Sequence, residues 1–382
     1  RFLELLASGR TVVFDGAMGT AIYKVPLTVD GDYCGCENCT DILVRTRPDV
    51  IRDIHESFLR AGCDVIETDS FGANRLVLGE FNIADQAYEL SRLAAQVARA
   101  AADGFTTPKH PRFVAGSMGP GTRLLTLGQT DWDAMRESYR ESALGLIDGG
   151  CDAFIIETCQ DLLQVKCAIN AALEALEERG CAPTDIPIMV SVTIESTGTM
   201  LMGTEIEAAA TALAGYPILS LGLNCATGPA EMVEHVRWLG AHWRSLASRS
   251  PSALALPRSV SVMPNAGLPV LVDGRTEYPL GPRPFVDAML KFVEHDGVNI
   301  VGGCCGTTPE HISLLVSELE HRGLRAARPA SASPATPAPR GVTSLYSTVD
   351  YRQDASMLIV GERMNASGSR AFKTLLEKED WD

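Results

Sequence analysis

Apolar, β-branched runs alternate with long amphipathic stretches from the start of the chain to about Gly323. The short runs have the length and residue types of buried strands. They cover Thr11 to Asp15, Asp64 to Asp69, Arg112 to Gly116, Asp152 to Glu157, Pro187 to Ile194, Ile218 to Asn224, Ser259 to Pro264 and Val298 to Gly303. Helical periodicity follows each of them, at Pro48 to Ala61, Ala84 to Ala102, Asp131 to Asp148, Gln160 to Arg179, Glu205 to Ala214, Pro229 to Ser248, Pro284 to Asp296 and Pro309 to Arg322. Pro48 suits a first helical turn and Gly62 a C-terminal stop. Eight strand and helix pairs predict an α/β chain with a closed (β/α)8 TIM barrel. The alternative, a doubly wound sheet, lacks any Gly-x-Gly-x-x-Gly after its first strand.

In such a barrel the C-terminal strand ends converge on one mouth and carry the chemistry. Here those ends are polar or glycine-rich: Asp15-Gly16-Ala17-Met18-Gly19-Thr20, Glu67-Thr68-Asp69-Ser70-Phe71-Gly72-Ala73-Asn74, Gly116-Ser117-Met118-Gly119-Pro120, Glu157-Thr158-Cys159-Gln160-Asp161, Asn224-Cys225, Pro264-Asn265-Ala266-Gly267 and Gly302-Gly303-Cys304-Cys305-Gly306. Cys225 follows the sixth strand, and the adjacent pair Cys304 and Cys305 follows the eighth. Neighbouring cysteines rarely bridge each other without strain. Two thiolates from one loop and a third from another instead make a three-sulfur site, suited to zinc (Zn²⁺) with a fourth position left open.

Composition narrows the class. A 382-residue chain with 46% hydrophobic residues can bury a large core in one big domain or two. With 33 basic against 48 acidic residues the net charge is −15, and no stretch supplies a basic face for nucleic acid. No apolar run is long enough to span a bilayer, and no signal peptide is seen, so no membrane partner is expected. Eleven cysteines are odd in number and few for a disulfide scaffold of this length, which favours reduced thiols and a cytoplasmic location. The chain starts at Arg1 rather than methionine, which suggests a short upstream piece.

After Gly323 the composition shifts. Ala326 to Arg340 carries Pro329, Pro334, Pro337 and Pro339 among alanine and serine and reads as an extended linker. Beyond it, Ser356-Met357-Leu358-Ile359-Val360 is strand-like, and one helical stretch follows. A single strand and helix cannot bury a core, so the expected organisation is a barrel over 1–323, a linker over 324–355 and the truncated start of a second domain over 356–382.

The two cysteine motifs, the opening Asp15-Gly16-Ala17-Met18-Gly19-Thr20 and Asp69-Ser70-Phe71-Gly72-Ala73-Asn74 together resemble the homocysteine S-methyltransferase family. The linker and Gly361-Glu362-Arg363-Met364-Asn365 look like the entry into a pterin-binding folate barrel, as in the cobalamin-dependent, methionine-forming branch of that family. The resemblance covers essentially the whole chain. It implies methyl transfer to the sulfur of L-homocysteine, with methylcobalamin as immediate donor and 5-methyltetrahydrofolate as ultimate donor. The cobalamin domains would lie beyond Asp382, and Glu362, Arg363 and Asn365 would belong to the folate site.

Under this resemblance Cys225, Cys304 and Cys305 hold zinc, and no residue is a covalent nucleophile. Asn265, at the end of the seventh strand, is the expected fourth ligand before substrate arrives; its alternative is a turn asparagine beside Gly267. For the amino-acid end of the substrate, backbone N–H groups around Gly16 and Ala17 suit the carboxylate. Glu157 and Asp15 suit the ammonium, with Ser70 and Asn224 as further contacts; the competing reading of the two acids is capping. A methyltransferase using betaine or S-methylmethionine is the alternative enzyme, and a zinc-binding module without catalysis is the alternative class.

Other motifs compete for metal. Cys34, Cys36 and Cys39 form a Cys-x-Cys-x2-Cys cluster in the first βα loop, without a clear fourth ligand, and are expected to stabilise the loop. Cys63, Cys151, Cys159, Cys167 and Cys181 are expected to be packing residues, Cys159 lying nearest the mouth. His235 and His242 are seven apart, too wide for i, i+4 chelation, and His311 is expected at a helix start outside the metal site.

Overall fold

The computed structural model describes residues 2–247, 258–272, 274–327, 341–353 and 368–379. Eight parallel strands form one sheet: β1 (Val12–Val13), β2 (Val65–Glu67), β3 (Phe113–Met118), β4 (Ala153–Cys159), β5 (Ile188–Val192), β6 (Ile218–Asn224), β7 (Ser259–Met263) and, after a hairpin of β8 (Val270–Val272) and β9 (Arg275–Glu277), β10 (Ile300–Val301). The order β1-β10-β7-β6-β5-β4-β3-β2 runs round a cylinder, and a parallel bridge between Phe14 and Val65 joins its two edges. This is the expected (β/α)8 TIM barrel.

The first and last barrel strands are shorter than their apolar runs. Their flanks stay in the ladder nonetheless: Phe14 N–H donates to Val301 O at 2.7 Å, and Gly303 N–H to Asp15 O at 3.0 Å. Those bonds bring the loop after β1 against the paired cysteines.

Alternation along the strands sorts two cores. Val65, Phe113, Ala115, Ala153 and Ile155 fill the barrel interior, and Ile66, Val114, Phe154 and Ile156 face the helical ring. The helix Phe2–Ala7, which the periodicity did not announce, sends Phe2 and Leu6 into the interior cluster, the Phe2 ring lying tilted against that of Phe113 with centroids 5.3 Å apart. The interior is therefore plugged at its N-terminal end. Continued upward, the same alternation places Glu67, Ser117 and Glu157 on the inner side of the mouth.

Helix ends follow local chemistry. Pro48 starts Pro48–Ala61, and Gly62 ends it at φ +99°, a left-handed conformation that glycine adopts without strain. Asp131 and Asp161 cap the helices Trp132–Gly149 and Leu162–Glu178 through side-chain oxygens.

Leu324 and Arg325, assigned from the sequence to the linker, pack on the barrel. Arg325 pairs with the buried Asp64 at 2.7 Å, a bond that needs a fixed backbone. The antiparallel hairpin of β11 (Gly341–Thr343) and β12 (Thr348–Asp350) also falls in the expected linker and leans on the helix Ile206–Leu213, Tyr346 O accepting from Glu205 N–H at 2.8 Å. The helix Arg370–Lys378 fits the helical stretch expected near the C-terminus. Pro329, Pro334, Pro337, Pro339, the run 356–360 and Glu362, Arg363 and Asn365 lie outside the described residues.

Candidate metal and substrate site

Three neighbouring strands, β6, β7 and β10, end side by side and bring the cysteine loops together. The segment after β7 stitches them: Cys225 N–H donates to Met263 O at 3.3 Å, Cys304 N–H to Pro264 O at 2.9 Å, and Ala266 N–H to Cys305 O at 2.9 Å. Cys225 Sγ and Cys304 Sγ each lie 4.0 Å from Cys305 Sγ, and all three sulfurs are within 4.8 Å of one another. Among the described residues no other group of three histidine, cysteine or acidic side chains is gathered this closely.

Backbone strain marks the place. Cys225 and Ala226 hold φ of +60° and +55°, and Thr158, across the mouth, +57°. Such angles cost non-glycine residues energy, most of all a β-branched threonine. Asn224 holds Thr158 there: its Oδ1 accepts from Thr158 N–H at 2.9 Å, and its Nδ2 donates to Thr158 Oγ1 at 2.7 Å.

The donor set fits zinc. Sulfurs bound tetrahedrally at about 2.3 Å stand about 3.8 Å apart, close to the spacing seen here. Hydrogen bonds from Cys225 and Cys304 hold the Cys305 thiol down, to about 3, while the same sharing of protons pushes Cys304 up. Asn265 supplies an orphan: it is 2% exposed, yet its Oδ1 has no hydrogen-bond partner among the described residues. A buried amide oxygen left unpaired is costly, and a cation resolves that cost.

Carboxylates line the inner side of the mouth. Glu157 Oε1 accepts from Ser117 Oγ at 2.5 Å, and Oε2 from Asn224 Nδ2 at 3.3 Å. Burial raises Glu157 to about 7, against the lowering effect of the Ser117 bond. Asp15 is likewise pushed well up by burial, although Glu67 N–H donates to its Oδ2 at 3.1 Å. Gly16 is pressed against the loop after β10: a Cβ there would meet Thr307 Oγ1 at 2.6 Å. Ala17 N–H already leans toward Thr307 O at 3.4 Å, so part of the expected carboxylate cradle is engaged within the protein.

Two expected substrate contacts are engaged as well. The Ser70 hydroxyl donates to Ser117 O at 2.8 Å and pairs with Thr68 Oγ1 at 2.6 Å, tying β2 to β3. Asn224 spends its amide on Thr158 and Glu157, with Nδ2 also 3.9 Å from Cys304 Sγ. Both hold the groups that line the mouth.

Of the remaining cysteines, Cys63, Cys151, Cys159 and Cys167 are buried as expected, whereas Cys181 is only part-buried. Cys36 and Cys39 are buried in the core beside Tyr33, whereas Cys34 is exposed. Cys159 is fully buried. His242 stacks on Trp238, and His311 closes a capping box with Thr308 while its Nε2 meets Leu280 O at 2.9 Å.

Sequence reasoning passed over Ser117, Thr158, Glu67 and Tyr278. Strand alternation signals the first and third, since each stands two residues beyond an inward-facing apolar residue. Tyr278 has no local signal: it follows the β8–β9 hairpin and packs on Gly306, where a Cβ would meet its ring at 2.5 Å.

Barrel, cysteine triplet and acidic mouth together define a class that family comparison identifies: the chain belongs to the homocysteine S-methyltransferase family, matched over residues 12–319. Its relatives include methionine synthases from Mycobacterium leprae (strain TN) and Mycobacterium tuberculosis (strain ATCC 25618 / H37Rv), both 46% identical, over 99% and 98% of this chain. The chain spans 30% and 29% of their respective lengths. In fold it is similar to the metallated form of the homocysteine methyltransferase MmuM from Escherichia coli, with a TM-score of 0.62 and 22% identity over 82% of this chain and 98% of that one. No helix among the described residues is long and apolar enough to cross a membrane.

Proposed function

We propose that this chain binds L-homocysteine and presents its sulfur for methylation, on zinc held by Cys225, Cys304 and Cys305, so that methionine forms. The observation that carries the reading is the meeting of three sulfurs with Glu157 and Asp15 at one barrel mouth. Zinc bound there would supply a fourth position at which a thiol is held as its thiolate near neutral pH. Asn265 is the residue assigned to that position in the absence of substrate.

The chain's own groups do the rest. Glu157 and Asp15 receive the substrate ammonium, and the backbone at Gly16 and Ala17 receives its carboxylate. Ser117 and Asn224 orient Glu157, and Asn224 ties that orientation to the strained Thr158. None of the three cysteines acts as a covalent nucleophile, because all three are committed to the metal.

The methyl donor is proposed to be methylcobalamin on another part of a longer protein, recharged from 5-methyltetrahydrofolate. Relatives more than three times as long as this chain support that division of labour. So does the rim of the mouth, where Tyr23, Phe71, Leu127, Leu201 and Leu271 stand exposed in the βα loops. Apolar groups exposed in the loops that surround a mouth suit a docking surface. The division into a barrel, a linker and the start of a further domain over 356–382, with the barrel's end moved from Gly323 to Arg325, the folate role of Glu362, Arg363 and Asn365, and a cytoplasmic setting belong to the same proposal.

X-ray absorption at the zinc edge tests it. Three sulfurs and one lighter ligand are expected without homocysteine, and four sulfurs with it. Fewer than three sulfurs overturns the metal assignment, and methyl transfer from betaine or S-methylmethionine but not from methylcobalamin overturns the donor.

A further inference from the structure

A third carboxylate shares the mouth, and the proposed function gives it no task. Glu67 ends β2 two residues beyond Val65, whose side chain lies in the barrel interior, so alternation turns Glu67 inward. Its backbone N–H donates to Asp15 Oδ2 at 3.1 Å, and its Oε1 is buried without a hydrogen-bond partner among the described residues. Burial, then the charges of Glu157 and Asp15, push Glu67 well above the ordinary carboxylate range.

Among the described residues no arginine, lysine or histidine acts on Asp15, Glu67 or Glu157. The contrast with Asp64 is direct, since that buried acid is met by Arg10 at 2.8 Å, Arg325 at 2.7 Å and His110 at 3.0 Å. Acids held in or at the edge of the buried interior without a cation are costly to the folded chain, and the buried Oε1 of the part-buried Glu67 adds the cost of an unmade hydrogen bond. A primary ammonium carries one positive charge and three N–H donors, which suits it to the open Glu67 Oε1 and to the acids whose charges bear on Glu67.

We propose that Glu67 is a substrate-contact residue: with Asp15 and Glu157 it completes a three-carboxylate socket that makes the site demand an α-ammonium on its thiol substrate. The proposal rests on the homocysteine reading and deepens it. A thiol acid lacking the amino group leaves all three carboxylates without a counter-charge and is rejected on that account.

The test compares L-homocysteine with 4-mercaptobutanoate, its des-amino analogue, by calorimetric titration of the zinc-loaded protein and its Glu67→Gln variant. The expected result is a loss of about tenfold or more in homocysteine affinity for the variant, with 4-mercaptobutanoate binding unchanged, so that the preference for the amino acid narrows. The substrate-free variant is expected to melt at or above the wild-type temperature, because a repelled carboxylate has been removed. A lower melting temperature assigns Glu67 a structural role and overturns the proposal. Wild-type binding of homocysteine with no change in Glu67→Gln overturns the Glu67 assignment alone, whereas failure of the wild type to bind homocysteine overturns both readings.

Discussion

Asn224 Nδ2 donates to Glu157 Oε2 at 3.3 Å, and this bond joins the metal half of the mouth to its acidic half, because the next residue is Cys225. The same amide group holds Thr158 at its positive φ. Replacing Asn224 with alanine frees both. We expect homocysteine affinity to fall about 10- to 100-fold, the usual range for a residue that orients ligand-binding groups. Titration calorimetry checks it, and an unchanged affinity removes Asn224 from the positioning role.

Metal removal should change thiol chemistry at three named positions. Cys225, Cys304 and Cys305 are partly exposed, Cys34 is exposed, and Cys159 is fully buried. Alkylation followed by peptide mass spectrometry should modify the first three only after zinc is chelated, Cys34 in both states and Cys159 in neither. Equal labelling of Cys304 with and without zinc removes it from the ligand set.

His55 offers a pH prediction away from the site. It is fully buried, both ring nitrogens lack partners among the described residues, and burial pushes its pKa down from 6.5 to about 3. Below pH 6.5 the unfolded chain takes up a proton that the folded chain refuses, so stability is full above that pH and falls as pH drops toward 3. The loss from this residue between pH 7 and 5 is about 2 kcal/mol. In His55→Leu that increment vanishes, and the buried unpaired nitrogens go with it. Denaturant unfolding of both proteins at the two pH values measures the difference.

Asp64 carries the opposite expectation. Burial alone would raise its pKa, but the His110 hydrogen bond and the charges of Arg325 and Arg10 outweigh that and hold it low. Stability from this carboxylate is present above its unfolded pKa and lost as pH falls through the folded one. Asp64→Asn leaves Arg325 buried against Arg10 with only the exposed Glu320 at 3.9 Å as a counter-charge, and we expect a loss of about 3 kcal/mol in chemical denaturation. Homocysteine affinity should not change at temperatures where the variant is folded, since Asp64 lies at the N-terminal end of β2, away from the mouth.

Much of this was legible along the chain. The eight apolar runs gave the barrel because buried parallel strands demand apolar side chains on both faces. Cys225, Cys304 and Cys305 could be joined because they follow the sixth and eighth of those runs, and Asn265 because it follows the seventh. Ser70 and Asn224 were expected at the substrate, but their hydrogen bonds go to Ser117, Thr158 and Glu157. A polar side chain at a strand end has several partners in reach, and sequence does not rank them.

The sequence by itself determined the barrel, the strand ends that meet at its mouth, and the residue types gathered there, because periodicity and turn chemistry are local properties of the chain. Only the tertiary structure decided which polar groups are paired and which are left open. It leaves Glu67 Oε1 and Asn265 Oδ1 without partners among the described residues, brings Tyr278 back onto Gly306, and draws Leu324 and Arg325 onto the barrel. The physical reason is that burial and pairing depend on contacts between residues far apart in the chain, such as Asp64 and Arg325.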